Sequence, residues 1–382
     1  MISSSDIFGH SYGASNRIRS LAIGMDRLGY RVQVLHLGQT GDLEGTVEVR
    51  HIRASFVSFL LGHVRTVRAI TSYLYPFDKL SHHFLREFAA DSKPDIIQFE
   101  TPYSFVDVGT GLKKDSLTVL DEHNIEYLAS KDSSGVPFLS PWVRLWEHDC
   151  VRSCDVVLTV SESDKKAIAR LYGRDAGSLI LVPNGVDCYL FGTVDRFYAR
   201  RVLGIPNQES IVFFHGLLGW KPNIEAVETI LEELSPRLPH VKFLVAGEGL
   251  PSRIVISARI HRNVILLGFI ENLPLYLAAS DVCIIPLKHG SGTRLKALEY
   301  AAASKAIVST RKGVEGLPFI DGHSVLICNN EGDEFAATIE KVLKNRQLRD
   351  SLGSAARNIA EKLDYSQIAR HYADYLDERI GC

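Results

Sequence analysis

The sequence predicts an α/β protein made of two Rossmann-like domains with parallel sheets. Three observations carry that expectation. The chain has 382 residues, too many for one ordinary domain and suited to two. Short apolar runs of strand length alternate with amphipathic stretches of helix length, and the series ends at Pro183-Asn184-Gly185-Val186-Asp187 and then restarts. The stretch from Asp281 to Leu317 reads as a buried strand (282–285), a loop (Gly290-Ser291-Gly292), a helix (293–303) and a second strand (306–309), which is a βαβ unit.

Composition narrows the class. A 46% hydrophobic and 23% charged chain is that of a soluble globular protein. The net charge of -2 supplies no basic field, so nucleic acid is not expected as a partner. No apolar run approaches the ~18 residues of a membrane span. The opening Met1-Ile2-Ser3-Ser4-Ser5-Asp6 is polar and lacks the apolar core of a secretory leader. The six cysteines are scattered, and Cys150 and Cys154, four apart on a predicted helix, read as buried thiols rather than metal ligands. A cytoplasmic location is expected.

Taken in order, the first strand is abbreviated: Met1-Ile2 runs straight into three serines, so either this strand is very short or the natural chain starts before Met1. A loop with Gly9 and Gly13 precedes an amphipathic helix (14–28) that ends at Gly29, and a strand follows (31–37). That order makes the Gly9–Gly13 loop either a phosphate or sugar cradle or a plain tight turn. From Phe56 to Phe88 aromatic and apolar residues mix with Arg65, Arg68, Lys79 and Arg86. This region reads either as an amphipathic helix pair packed on the sheet or as a membrane-surface face.

Strands resume at 95–99 and 117–120. Glu100 closes the first, and the second runs into Asp121-Glu122-His123-Asn124-Ile125-Glu126. Polar residues after buried strands sit at the carboxyl edge of a sheet, where open α/β sheets bind ligands. His123 taken alone could equally serve the start of a helix. A strand at 155–160 leads to Ser161, which opens a helix, and 179–182 is the last strand before the turn at 183–187. The first half therefore holds at least six strands.

The second half begins with a strand (211–214) that leads into His215-Gly216-Leu217-Leu218-Gly219-Trp220-Lys221-Pro222-Asn223, with Pro222 suited to a helix start. Strands 241–246 and 264–267 lead into Gly247-Glu248-Gly249 and Gly268-Phe269-Ile270-Glu271-Asn272. In the 281–317 unit, Thr293 suits the helix N-cap, and the turn aims backbone N–H groups where an anion can sit. Arg294 and Lys296 in the first helical turn oppose the helix dipole, which a bound phosphate would explain. Glu299 lies one turn on. Lys296 and Glu299 also fit a plain i,i+3 surface pair. Helices at 333–344, 348–363 and 365–380 close the chain.

Gly-Ser-Gly-Thr-Arg-Leu-Lys-Ala-Leu-Glu at 290–299, with Val314-Glu315-Gly316-Leu317 closing the unit, resembles the donor-binding segment of GT-B glycosyltransferases of family 4. Asp121–Glu126 resembles that family's segment facing the reaction centre, and 183–187 its interdomain connection. The resemblance implies two Rossmann-like domains (1–183 and 184–363) facing a deep cleft, with a final helix (364–382) crossing back to the first. It implies transfer of a sugar from a nucleotide-sugar donor to a hydroxyl of a glycan, glycolipid or small molecule, with retention of configuration. The donor's own phosphate oxygen then takes the acceptor proton.

By the same resemblance Glu299 binds the ribose hydroxyls, while Gly290, Ser291, Gly292, Thr293, Arg294 and Lys296 hold the diphosphate. The backbone around Ile270 reads the base, and Gly216 and Lys221 flank the phosphates. His123 contacts the sugar near the reacting carbon, and Gly13, Glu100 and Asn124 line the acceptor or phosphate side. Two departures stand out. Ser291 occupies the place eight before Glu299 where the family usually has a glutamate, a feature of a subgroup with G-x-G-T-[RK]-x-K. Leu217 occupies the place of a phosphate-gripping arginine.

No D-x-D-like carboxylate pair is seen, so no metal and no cofactor beyond the donor substrate are expected. If the acceptor is lipid-linked, Phe56–Phe88 gives peripheral contact with the inner membrane face. A nucleotide-sugar 2-epimerase and a non-catalytic sugar-nucleotide binder share the fold. The first needs a carboxylate set that is not evident here. The second would have lost residues such as Arg294, Lys296 and Glu299, which are all present.

Overall fold

The computed structural model describes residues 1–3, 7–8, 13–36, 41–51, 88, 91–105, 115–132, 140–290, 293–329 and 332–381. Gly9, Ser291, Gly292 and almost all of the Phe56–Phe88 region lie outside the described residues. Among those described, no helix is long and apolar enough to cross a membrane.

The chain divides into two compact units, residues 1–184 with 365–382, and residues 185–364. The first unit is built on a seven-stranded sheet: β1 (Ile2–Ser3), β2 (Gln33–His36), β3 (Glu48–His51), β4 (Ile96–Glu100), β5 (Leu117–Glu122), β6 (Val156–Thr159) and β7 (Leu179–Leu181). Their order is β3-β2-β1-β4-β5-β6-β7, with every neighbouring pair parallel. The first strand is indeed short, but Ile2 and Ser3 register with Leu35 and His36 on one side and with Phe99 and Glu100 on the other. The sheet therefore reverses its winding at β1, between β2 and β4. Both faces are covered, so the central strands are continuous apolar runs. Phe99, Leu120 and Val157 pack on one face, and Val34, Val119 and Leu158 on the other.

The Gly13–Arg27 helix buries Ile18, Leu21, Ala22 and Met25 on that second face. Beside it lies the Tyr365–Ile380 helix, whose Ile368, Ala369, Tyr372 and Leu376 join the same core. Gly13 is the first residue of its helix rather than part of a loop.

The second unit has a six-stranded parallel sheet: β8 (Ser210–His215), β9 (Val241–Ala246), β10 (Val264–Gly268), β11 (Val282–Ile285), β12 (Ala306–Thr310) and β13 (Leu326–Cys328). The order is β10-β9-β8-β11-β12-β13. Winding reverses between β8 and β11, so the loops after these two strands emerge side by side at the carboxyl edge. In an open α/β sheet that is where a ligand crevice forms.

Three local expectations are corrected. Asp121 and Glu122 are the last two residues of β5, not a loop after it. The helix of the 281–317 unit is Leu295–Ala302, with Arg294 at its N-cap and no side-chain cap, so Thr293 is not the cap. An arginine at that position brings no short acceptor for the free N–H groups. Consequently Arg294 flanks the helix and Lys296 is its second residue. The Lys221–Thr229 helix likewise begins one residue before Pro222.

Candidate functional site

The predicted site residues fall into two groups, one in each unit. In the second unit the loop after β8 meets the helix after β11. Lys296 is nine-tenths buried, and its Nζ donates to Asn223 Oδ1 at 2.8 Å and sits 4.2 Å from the centre of the Phe214 ring. Among the described residues it pairs with no carboxylate. Burial lowers its pKa to about 7; neighbouring Arg294 adds to the depression and Glu299 opposes it. Arg294 is 5% exposed, with its guanidinium carbon 5.6 Å from the Trp220 ring centre. A Cβ on Gly290 would stand 2.8 Å from Trp220 and 3.0 Å from Arg294 Nη2, so the start of this loop lies directly against both side chains.

Glu299 does not pair with Lys296 in the way the i,i+3 surface reading supposes. Its Oε2 lies 3.1 Å from His215 Nε2 at the end of β8. The His215 ring is held in turn by Phe213 and Tyr300. The arrangement places two cations beside one carboxylate at a helix start. Such a set can take a diphosphate on the cations and a vicinal diol on the carboxylate.

Other predicted donor residues are more peripheral. Lys221 is exposed, and its Nζ lies 3.9 Å from Glu225 on its own helix. Ile270 packs half-buried against the core. Leu217 is half-exposed, and Gly216 lies where Lys296 Nζ and Asn223 converge.

In the first unit His123 follows β5 directly and is 8% exposed. Its Nε2 is 3.0 Å from Glu100 Oε2 and 3.6 Å from Asp121 Oδ2. Asp121 is gripped by Arg17, whose Nε and Nη2 donate to its two carboxylate oxygens at 2.8 and 3.1 Å. Arg17 also donates to the backbone oxygens of Val182 and Pro183 and to Asn184. Gln98 donates to Glu100 at 2.7 Å and accepts from Tyr372 on the last helix. Two buried carboxylates thus face two buried cations.

Burial by itself lowers the His123 pKa, but Asp121 and Glu100 overcome it and hold the ring at about 9. With Nε2–H directed at a carboxylate, the imidazolium offers Nδ1–H as a second donor, and Nδ1 is buried without a partner among the described residues. Glu100, Asp121 and His123 offer ligand atoms within 4.8 Å of one another, the spacing of a metal site. Arg17 already occupies both oxygens of Asp121, so the set is charge-balanced as it stands.

Beyond His123, Asn124 is exposed, and the chain enters the Glu126–Asp132 helix. Glu147 fixes that entry by accepting from the backbone N–H groups of Glu126 and Tyr127 at 2.6 and 3.0 Å. Sequence reasoning missed Arg17, His215, Trp220 and Asn223. Arg17 had a signal, since it shares a helix face with Leu21 and the rest of an apolar stripe. Asn223 had none.

Residues 12–189 match the Glycosyltransferase Family 4 description, and residues 209–345 match Glycosyl transferases group 1. The chain is 25% identical to D-inositol 3-phosphate glycosyltransferase 2 of Catenulispora acidiphila over 253 residues, which cover 61% of this chain and 58% of that protein. It is 28% identical to the D-inositol 3-phosphate glycosyltransferase of Geodermatophilus obscurus over 233 residues, 56% of this chain and 50% of that protein. The match thus spans less than two thirds of these relatives' own length. Among solved structures, sucrose-phosphate synthase of Thermosynechococcus elongatus superposes with a TM-score of 0.79 at 18% identity, covering 97% of this chain and 94% of that one. HepE of Anabaena, solved with UDP and glucose, gives 0.73 at 19% identity, covering 97% and 98%. At these identities the likeness shows the fold, which is GT-B.

Proposed function

With a family 4 segment followed by a group 1 segment, the chain belongs to the group 1 glycosyltransferases, and from that premise we propose that it transfers a sugar from a nucleoside-diphosphate sugar to a hydroxyl acceptor. The observation that carries the reading is Lys296. A buried ammonium facing a neutral amide and an aromatic ring, with a second cation beside it, is costly unless an anion joins it. A leaving diphosphate meets that need most fully as the glycosidic bond breaks and negative charge grows on it. Arg294 and Lys296 neutralise that charge, so the reading extends to turnover without a divalent metal. Glu299, one turn away, accepts from the ribose hydroxyls.

On the first unit, His123 acts as a fixed cationic hydrogen-bond donor toward substrate. Its protonated state suits donation rather than general-base work. That agrees with a retaining transfer in which the donor phosphate takes the acceptor proton. UDP-sugars are the first donors to offer, because HepE was solved with UDP and glucose. D-inositol 3-phosphate is the first acceptor, from the names of the curated relatives.

The test is release of nucleoside diphosphate from a panel of nucleotide sugars, with and without acceptor and with excess chelator. Lys296→Ala and Arg294→Ala should each lower kcat by about a hundredfold. Glu299→Gln should act mainly on the donor KM, because the ribose contact changes little during the reaction. Turnover equal to the parent in all three variants would refute the donor site. A return of activity only with one added metal would refute metal independence.

A further inference from the structure

We propose that Asn223 is a positioning residue that holds Lys296 in place for the diphosphate and sets how readily it carries its proton; this rests on the reading of Lys296 given above. Asn223 is the third residue of the Lys221–Thr229 helix and is 3% exposed. Its amide is used at both ends. Oδ1 accepts from Lys296 Nζ at 2.8 Å, and Nδ2 donates to the Leu217 backbone oxygen at 2.8 Å. The donation to Leu217 fixes which end of the amide faces the ammonium.

One side chain therefore ties the loop after β8 to the helix after β11, the two elements that meet at the sheet's reversal point. Gly216 leaves room for this joint. A Cβ there would lie 2.8 Å from Lys296 Nζ and 2.9 Å from Asn223 Nδ2. Leu217 brings only its backbone oxygen to this joint and no side-chain charge. Asn223 supplies the acceptor that aims a cation belonging to another element.

A neutral acceptor orients the ammonium without neutralising it, so its charge stays available to a ligand. The other charged groups acting on Lys296 are Arg294, which disfavours the proton, and Glu299, which favours it and is itself engaged by His215. On the Lys221–Thr229 helix, Glu225 is taken up by Lys221 and His289. With its pKa lowered to about 7, Lys296 is only partly protonated near neutral pH, so an arriving diphosphate raises its proton occupancy and binding is coupled to proton uptake there.

The test is calorimetric titration with UDP from about pH 6 to 9, in two buffers of different ionisation enthalpy, so that proton uptake is read directly. Parent, Asn223→Leu, Asn223→Asp and Lys296→Ala are compared, and differences between proteins remove UDP's own proton exchange. Asn223→Leu should weaken UDP binding about tenfold or more and move proton uptake to lower pH. Asn223→Asp should hold the ammonium charged before ligand arrives and abolish most of the uptake near neutral pH. It is isosteric and decides the matter if the leucine variant does not fold. If both variants keep the parent's uptake profile while Lys296→Ala loses UDP affinity, Asn223 is structural only and this inference falls while the donor site stands. If Lys296→Ala binds UDP like the parent, the donor site and this inference fall together.

Discussion

Replacing His123 by glutamine tests the charge balance of the first unit. The ring is 7% exposed at its side chain, and its pKa is about 9 against an ordinary 6.5. Each pKa unit corresponds to about 1.4 kcal/mol, so the protonated ring stabilises the unit by about 3 kcal/mol. The pKa is raised, so the stabilisation is complete below about pH 6.5 and fades as pH rises through about 9. Above that, Glu100 and Asp121 face a neutral ring and share Arg17 alone. Glutamine keeps an N–H donor for Glu100 but carries no charge at any pH.

The measurement is urea unfolding followed by tryptophan fluorescence in a Trp220→Phe background. The two remaining tryptophans, Trp142 and Trp146, both lie in the first unit, and Trp146 packs 5.0 Å from the Tyr103 ring. Near pH 6 the parent should exceed His123→Gln by about 3 kcal/mol, and the two curves should converge near pH 9.5. Titrations shared by both proteins cancel in that difference. Parallel curves across this range would show that His123 is not held as a cation, and its assignment as a fixed donor would go with it.

Three further outcomes are expected. Lys296→Met should stabilise the second unit by about 2–4 kcal/mol near pH 6 while removing UDP binding, because a buried cation with a pKa depressed to about 7 imposes its full cost on stability below that pH, and the cost fades only as pH rises from there toward the ordinary lysine value. Equal loss of stability and binding in a thermal melt would contradict this. Gly247→Ala should lower stability by about 2–3 kcal/mol or more, since its φ is +133° and the new Cβ would fall 1.9 Å from the Gly216 backbone oxygen; an unchanged melting temperature would show that the loop rearranges freely. Arg17→Met should destabilise the first unit by about 3–5 kcal/mol by stranding Asp121, and Arg17→Met combined with Asp121→Leu should recover most of it. Failure of the double variant to recover would mean that the backbone contacts of Arg17 to Val182 and Pro183 outweigh the ion pair.

The sequence by itself determined the fold class and most of the elements. Strands Val241–Ala246 and Val282–Ile285 and helices Asp333–Lys344 and Tyr365–Ile380 have the bounds that apolar periodicity and length imply. A parallel strand buried on both faces must be apolar throughout, and a helix must show one apolar stripe, so the chain cannot hide them. The segment 290–299 stood out in the sequence as a candidate ligand loop because glycines and cations at a helix start conflict with local preference.

Tertiary structure decided what each of these groups faces. Lys296 meets Asn223 across 73 residues, and Arg17 meets Asp121 across 104. Thr293 has the chemistry of a cap, yet the path of the loop puts Arg294 at the N-cap instead. Local pattern states which side chains could be charged or could donate. Whether a group keeps its charge depends on burial and on partners brought from other strands. Glu100 and Asp121 reach His123 through the neighbouring strands β4 and β5, and Arg17 reaches Asp121 from a helix laid across the sheet. Only the fold brings those partners within hydrogen-bonding distance, and so only the fold raises the pKa of His123 and lowers that of Lys296.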